Sequence, residues 1–427
     1  MRDIFVTVVV LGLLPAAFLQ PWIGVLLWSW IGYMNPHRLS WGFAYEFPFA
    51  MLIALAVLGG LLISKEDKRI PWTRETKILA AFIVWMGVTT VFAVHEQLAW
   101  QQYEKVVKIQ LMTFITLMVM GSKERLTYLA WIIALSIGFY GVKGGIFTLT
   151  TGGGHHVRGP LGTFIGGNNE IGLAMIMVVP LMRYLQLQAK HWVIRHGMLL
   201  AMVLTLIAIL GTQSRGALLG IVAMLFFLIM KSRKKVLFLI LIMATAPLAY
   251  NYMPDSWHER MSTIQTYEED ASAQGRFRAW EFAFNEALKR PMLGGGYEVF
   301  AGKTDAHSIY FEILGEHGFF GLAMFLSIGF LSWFTGSWVI KKTKGIEELN
   351  WARDLASMLQ VSLIGYAVSG AFLGLAYFDL YYHLVAMMVL TKVLVMRHLA
   401  NPDKTGNTPA PVQTGRNPRT YGVVQVN

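Results

Sequence analysis

A short polar turn at residues 211–216 separates two long apolar runs and contains one charged side chain, that of Arg215. A charge beside apolar helices of membrane length is costly and marks a functional site by default. The sequence Ser214-Arg215-Gly216 also opens the second run, and the free N–H groups and dipole at a helix start favour an anion. We therefore predict that Arg215 binds a phosphate group. The alternative is that Arg215 only extends towards lipid headgroups.

Two further polar segments contain candidates for chemistry. His307 lies directly before an apolar run, with Glu312 and Glu316 nearby. A neutral imidazole can act as a general base near pH 7, so His307 is the candidate catalytic base. The alternative is a polar residue that caps the helix. Arg158 lies in a glycine-rich segment whose backbone N–H groups can approach a ligand, and we expect it to help Arg215 bind a diphosphate. The alternative here is an ordinary loop arginine.

The same polar segments supply a set of secondary candidates for substrate binding: Asn168, Asn169, Glu316, Arg276, Arg278 and Tyr310. Arg276 and Arg278 belong to an amphipathic stretch and are better explained as part of a solvated face than as part of a site. Motifs typical of soluble enzymes are missing, as are cysteine-based metal sites and acidic metal-binding clusters. The sequence therefore predicts neither a metal nor a cofactor.

The elements that position these residues are apolar helices. The 427 residues are 55% hydrophobic and 14% charged, whereas a soluble domain has about 25% charged residues. Continuous apolar runs argue against an outer-membrane barrel, and the lack of cysteine excludes a disulfide-stapled secreted fold. Since a helix needs about 20 apolar residues to cross a bilayer, we predict an all-α polytopic membrane protein with about 12 transmembrane helices.

The net charge of +11 is explained by topology rather than by nucleic acid. Five basic connections are predicted to face the cytoplasm: residues 65–74, 123–125, 190–195, 231–235 and 341–353. They alternate with outward connections at residues 35–48, 95–105, 147–170, 211–216, 255–318 and 378–381. This alternation places the C-terminus inside. The first 34 residues form either one span or two, and we favour both termini in the cytoplasm.

Four segments follow from this topology. Residues 1–254 are predicted to be N-terminal transmembrane helices, and residues 255–318 a periplasmic loop that contains short helices and His307. Residues 319–400 are predicted to be C-terminal transmembrane helices. Residues 401–427 are rich in Pro, Thr, Gly and Asn, which predicts a disordered cytoplasmic tail.

The ordered set of polar motifs resembles the O-antigen ligase/polymerase superfamily of bacterial polysaccharide enzymes. The resemblance is carried by residues 158–169, by Ser214-Arg215-Gly216, and by the motifs of the 255–318 loop: Gly275-Arg276-Phe277-Arg278, Pro291-Met292-Leu293-Gly294-Gly295-Gly296 and His307-Ser308-Ile309-Tyr310. It implies that Arg215 is the family's essential arginine, Arg158 its loop arginine and His307 its catalytic histidine. One position departs from the pattern, because Ser308 stands where the superfamily frequently has Asn.

The resemblance implies a glycosyltransferase at the periplasmic face of the bacterial inner membrane. It would move O-antigen polysaccharide from undecaprenyl diphosphate to lipid A–core oligosaccharide, without metal and with inversion, among membrane lipids and with no nucleic acid partner. Two enzymatic alternatives use the same donor, namely an O-antigen polymerase and a protein O-oligosaccharyltransferase. The latter arises because residues 21–42 resemble O-glycosylation ligases linked to exosortase systems. A non-enzymatic alternative is a transporter of lipid-linked glycans, which would place charges along a path through the membrane.

Overall fold

The computed structural model describes residues 1–232, 234–262 and 271–400, and all regular structure in these residues is helical. The predicted all-α class is therefore confirmed, while the tail at residues 401–427 and part of the 255–318 loop lie outside the described residues. The α-helices are α1 (Arg2–Leu19), α2 (Pro21–Met34), α3 (Phe49–Ile63), α4 (Arg74–Val91), α5 (Glu96–Val119), α6 (Lys123–Thr150), α7 (Asn168–Gln188), α8 (Trp192–Gly211), α9 (Arg215–Lys231), α10 (Lys235–Tyr252), α11 (Asp255–Ser262), α12 (Ala271–Lys289), α13 (Ile309–Lys342), α14 (Asn350–Gly370) and α15 (Asp379–Ala400).

Among the described residues, seven helices are long and apolar enough to span a membrane. These are α1, α6, α7, α8, α10, α13 and α15. Some of the other apolar helices are shorter, such as α3 with 15 residues and α9 with 17. The chain is thus a polytopic helical membrane protein, and the total of about 12 spans stays a prediction.

The connections between the helices collect at two opposite ends of the bundle. At one end, which we call the basic face, the Arg125 guanidinium pairs with the Glu66 carboxylate at 2.8 Å. At the other end, which we call the loop face, the Val94 N–H donates to the Gly295 carbonyl and the Val157 N–H donates to the Gly211 carbonyl. These contacts join basic connections to each other and outward connections to each other, while the membrane side of each face stays a prediction.

The N-terminus lies beside residues 39–42 at the loop face, which favours two spans over one for the first 34 residues and leaves the membrane side of the termini a prediction. Arg2 donates to the Leu39 carbonyl at 3.1 Å, and Asp3 accepts from the Gly42 N–H at 2.9 Å. The physical reason is a break at Gln20, after which Pro21 starts α2 and the chain folds back as a helical hairpin. The sequence shows two apolar runs here, but apolar content alone does not distinguish two spans from one span or from a hairpin that does not cross.

Helix α13 is discontinuous. Gly318 has φ 68° and ψ −173° and separates a first half, α13a (residues 309–317), from a second half, α13b (residues 319–342). The N–H groups of Gly295 and Gly296 each donate at 2.8 Å to carbonyls of α13a, at Gly315 and Glu316. The Phe319 N–H donates back to the Pro291 carbonyl at 2.9 Å. The glycine motif at residues 294–296 thus satisfies backbone groups that the break leaves unpaired.

The first half of this helix crosses the loop face. At its start the Tyr310 hydroxyl donates to the Ala367 carbonyl of α14 at 2.8 Å. At its end His317 Nδ1 lies 2.7 Å from the Thr89 hydroxyl of α4. Helix α12 packs along α13a, where the Trp280 ring stacks on Phe311 with 5.0 Å between ring centroids. The break therefore lets α13a hold residue 307 over the bundle instead of continuing along α13b.

Candidate functional site

The glycine-rich segment at residues 151–167 lies against the turn at residues 211–214. The Asn168 side-chain amide donates to the Thr212 carbonyl at 2.9 Å, and the Gln213 amide donates to the Gly153 carbonyl at 2.9 Å. Together with the bond from Val157 to Gly211, these contacts place the exposed Arg158 on a segment fixed to the turn that carries Arg215. The structure thus brings together the two segments that were predicted to bind a diphosphate.

Arg215 is the first residue of α9. Gln213 before it has a left-handed backbone with φ 53°, and Ser214 is extended. The Ser214 hydroxyl accepts from the Ala217 N–H at 3.1 Å and so caps the helix. The Arg215 side chain is partly buried at this helix start. A guanidinium beside a helix N-terminus combines a full positive charge with a partial one, which suits an anion.

His307 lies at the start of α13a. Its backbone is left-handed with φ 46°, which is uncommon for a residue other than glycine and is typical of functional sites. Its Nδ1 atom lies 3.5 Å from Asp305 Oδ2. A carboxylate at Nδ1 favours the tautomer in which Nε2 has no proton, and this nitrogen can then accept one. The imidazole is half-exposed and can reach a substrate.

The turns of Arg215 and His307 flank one short segment, residues 371–378, and the end of α14. A Cβ atom built on Gly216 would lie 3.1 Å from the Cβ of Phe372. On the other side, a Cβ built on Gly374 would lie 3.1 Å from the carboxylate of Asp305. Residues 371–378, which follow α14, therefore lie between the turn of Arg215 and the turn of His307.

The segment at residues 371–378 is held by a polar network below it. Glu312 accepts from the Ala376 N–H at 3.0 Å, and the Tyr377 hydroxyl donates to the carboxylate of Glu316. His317 Nε2 lies 2.8 Å from the same hydroxyl. Burial and the Glu316 carboxylate raise the pKa of Tyr377 well above its usual value, so the hydroxyl keeps its proton. This network fixes the segment that separates the two turns.

The secondary candidates fall into two groups. Asn168, Glu316 and Tyr310 hold protein groups, since Asn168 bonds to Thr212, Glu316 accepts from the Glu298 N–H at 3.0 Å, and Tyr310 bonds to Ala367. Asn169 is partly buried in the first turn of α7. Their contacts therefore serve to build the site.

Arg276 and Arg278 have different environments. Arg276 is partly buried, one helical turn before Trp280, whose indole N–H donates to the Ala306 carbonyl at 2.9 Å. Arg276 thus lies along the segment that leads to His307, whereas Arg278 is exposed. The interpretation as a solvated face fits Arg278 better than Arg276.

Two site residues were missed by sequence reasoning. Asp305 precedes His307 by two residues, and this spacing was the signal that could have identified it. Arg38 lies in the outward connection after α2, with one guanidinium nitrogen 3.8 Å from a Cβ built on Gly162. It also pairs with Glu46 at 3.2 Å. The approach of Arg38 to the Arg158 segment is a tertiary contact, so the local sequence does not predict it.

Metal-binding side chains do not cluster within the described ranges. Residues 1–232, 234–262 and 271–400 contain no group of three or more His, Asp or Glu side chains that could hold a metal ion. No residue of the site is therefore assigned as a metal ligand.

The fold and the candidate site together define a class: a polytopic helical membrane protein with an arginine at a helix start and a histidine on the same face. Residues 200–326 match a protein family described as O-antigen ligase. Residues 1–191 match a family of unknown function (DUF5935). No curated protein matches the chain. Over residues 200–326 the chain is thus similar to the O-antigen ligase family, which supports the resemblance at the level of the superfamily.

Proposed function

We propose that the protein is a glycosyltransferase that moves a polysaccharide from undecaprenyl diphosphate to an acceptor at the periplasmic face of the bacterial inner membrane. One observation carries the proposal: the turns of Arg215 and His307 flank the same segment, residues 371–378. The O-antigen ligase family match over residues 200–326 includes both turns. Since both residues belong to the loop face, the arrangement supports transfer more than transport through the membrane.

The diphosphate would bind at the start of α9. Arg215 offers a planar fork that binds two phosphate oxygens, and the helix dipole adds to its charge. Arg158 would bind the same group from the neighbouring segment, and Arg38 lies within reach of that segment. These cations stabilise the negative charge that develops on the diphosphate as the sugar departs.

The reaction balances with the residues that are present. The acceptor hydroxyl gives its proton to His307 Nε2, and its oxygen attacks the anomeric carbon of the donor sugar. The bond from that carbon to the diphosphate oxygen breaks, and the electron pair leaves with the diphosphate at Arg215. Attack opposite to the leaving group inverts the anomeric centre. Asp305 holds the imidazolium and compensates its charge.

The first candidate acceptor is lipid A–core oligosaccharide, in keeping with the ligase branch. A second candidate, a hydroxyl group of a protein, is favoured by charge. The outward connections contain ten Lys and Arg against sixteen Asp and Glu, although the whole chain has a net charge of +11. Away from Arg215 and Arg158, this excess of acidic residues disfavours an acceptor that carries phosphates, as lipid A does, whereas a neutral protein segment is not repelled.

Two substitutions test the transfer mechanism. Arg215→Ala and His307→Ala should each abolish transfer in purified protein that is still inserted and folded. Lys289→Ala and His196→Ala are the controls, because both residues are exposed and neither belongs to the segments that form the site. Near-normal transfer by Arg215→Ala or His307→Ala rejects the assigned role. A chelator should leave transfer unimpaired, and loss that added metal restores would contradict a metal-independent reaction.

The surface glycans of a deletion strain distinguish the acceptors. Loss of O-antigen from lipid A–core, with accumulation of lipid-linked polymer, indicates a ligase. Unglycosylated protein with normal lipopolysaccharide indicates the protein-directed branch, and chains of a single repeat indicate a polymerase. Reconstituted vesicles that scramble the lipid without transfer would support the transporter instead.

A further inference from the structure

The same local turn starts α9 and α13a. In each, a left-handed residue is followed by an extended serine and then by the first helical residue. Gln213 and Ser214 form this turn before α9, and His307 and Ser308 form it before α13a. Both turns lie beside the end of α14, since Gly216 approaches Ser369 and Ile309 approaches Gly370. Two helix N-termini therefore converge on one region of the loop face.

The two serines use their hydroxyl groups differently. The Ser214 hydroxyl caps its helix by accepting from the Ala217 N–H at 3.1 Å. Ser308 occupies the same position, yet its side chain makes no capping bond. Its hydroxyl is buried, with 1% of the residue exposed, and has no hydrogen-bond partner. A buried hydroxyl without a hydrogen-bond partner costs free energy. The Ser308 hydroxyl and the start of α13a are therefore arranged to bind a group that arrives with the substrate.

We propose that the Ser308 hydroxyl and the first N–H groups of α13a bind the acceptor oxygen that His307 deprotonates. This inference rests on the proposed function and names a further catalytic residue for it. The Ser308 hydroxyl donates to the acceptor oxygen while the acceptor hydroxyl gives its proton to His307 Nε2. The helix N-terminus then stabilises the negative charge that develops on that oxygen until it bonds to the anomeric carbon.

The charges around α13a favour an acceptor oxygen over the diphosphate. The Asp305 side chain is 56% exposed, and its carboxylate lies 3.5 Å from His307 Nδ1. This carboxylate repels a diphosphate but tolerates a hydroxyl that is neutral before reaction. Lys303 is the cation nearest in sequence to this start, and its ammonium group lies 3.5 Å from the centroid of the Phe282 ring, while Arg215 belongs to the other turn. The two converging helix starts thus bind different reacting groups. The diphosphate leaving group binds at the start of α9, and the acceptor oxygen binds at the start of α13a.

The test compares transfer with donor binding. Transfer is measured from glycan-loaded undecaprenyl diphosphate to the endogenous acceptor in membranes of a deletion strain supplied with each variant. Donor binding is measured on the purified full-length protein. Ser308→Ala should lower transfer about 100-fold, as removal of one preorganised donor does, and leave the donor Kd within about twofold. Arg215→Ala should instead raise the donor Kd.

Ser136→Ala is the matched control, because the Ser136 hydroxyl is also buried without a partner but lies within α6. It should transfer normally. Ser308→Cys approximately keeps the volume of the side chain but is a weaker hydrogen-bond donor. Its transfer activity should therefore lie between that of the unaltered protein and that of Ser308→Ala. Normal transfer by both Ser308 variants, while His307→Ala is inactive, overturns this inference and leaves the proposed function intact. Equal losses of transfer and donor affinity would show a structural role and also overturn it.

Discussion

At the residue scale, the geometry of Arg215 predicts that its charge alone is insufficient. Arg215→Lys keeps a positive charge at the start of α9 but loses the planar fork that binds two phosphate oxygens. We expect a loss of about 1.5 kcal/mol, which is about tenfold in donor Kd. Donor binding to the purified variant measures this, with Lys289→Arg, in the outward loop, as the control. A donor Kd equal to that of the unaltered protein would show that Arg215 acts only as a point charge.

The contact between Asp305 and His307 makes a second prediction at this scale. Asp305→Asn keeps the shape of the side chain but removes the charge that compensates the imidazolium. We expect transfer to fall at least about tenfold, since general base catalysis contributes factors of about 100 to 10,000. Donor binding should stay unchanged because the diphosphate site is at α9. Transfer at the level of the unaltered protein would mean that the 3.5 Å contact does not orient the base.

At the element scale, the break in α13 predicts an unusual sensitivity to small substitutions. A Cβ built on Gly318 would lie 2.5 Å from the Met292 carbonyl, and the backbone there is left-handed. Gly318→Ala should therefore cost about 1–3 kcal/mol in backbone strain and lower both the unfolding temperature and transfer. Gly197→Ala in α8 is the control, because its Cβ would meet no atom within 4 Å. An unchanged unfolding temperature for Gly318→Ala would contradict the role of the backbone contacts between residues 291–296 and the break in α13.

Tyr377 extends this argument to the segment beside the site. Tyr377→Phe removes the hydroxyl that donates to Glu316 and leaves a buried carboxylate with one partner fewer. The cost is about 1–3 kcal/mol, and the segment at residues 371–378 loses an anchor. We expect lower transfer with little change in donor Kd. Tyr250→Phe in the exposed part of α10 should leave both quantities unaltered. Transfer equal to the control would show that this anchor does not position the site.

The helices that could be predicted from the sequence are those defined by local patterns. The amphipathic stretch at residues 276–290 with Pro291 after it corresponds to α12, which ends at Lys289. The glycines at residues 294–296 were recognised from sequence only as part of a family motif. Their bonds to Gly315 and Glu316 join parts of the chain that local periodicity does not relate. For the same reason Arg215 and His307 were identified by residue type, whereas the approach of Arg38 to the Arg158 segment required the fold.

At the scale of the whole molecule, the position of the N-terminal hairpin can be tested directly because the chain has no cysteine. A single introduced cysteine is then the only thiol available to a membrane-impermeant maleimide. Trp41 is 92% exposed at the loop face, and Arg69, with a side chain that is 91% exposed, belongs to the basic face. In spheroplasts, Trp41→Cys should react, and Arg69→Cys should react only after permeabilisation. Arg2→Cys should react like Trp41→Cys, because Arg2 contacts Leu39. If Arg2→Cys reacts only after permeabilisation, the N-terminus lies on the cytoplasmic side and the hairpin is rejected.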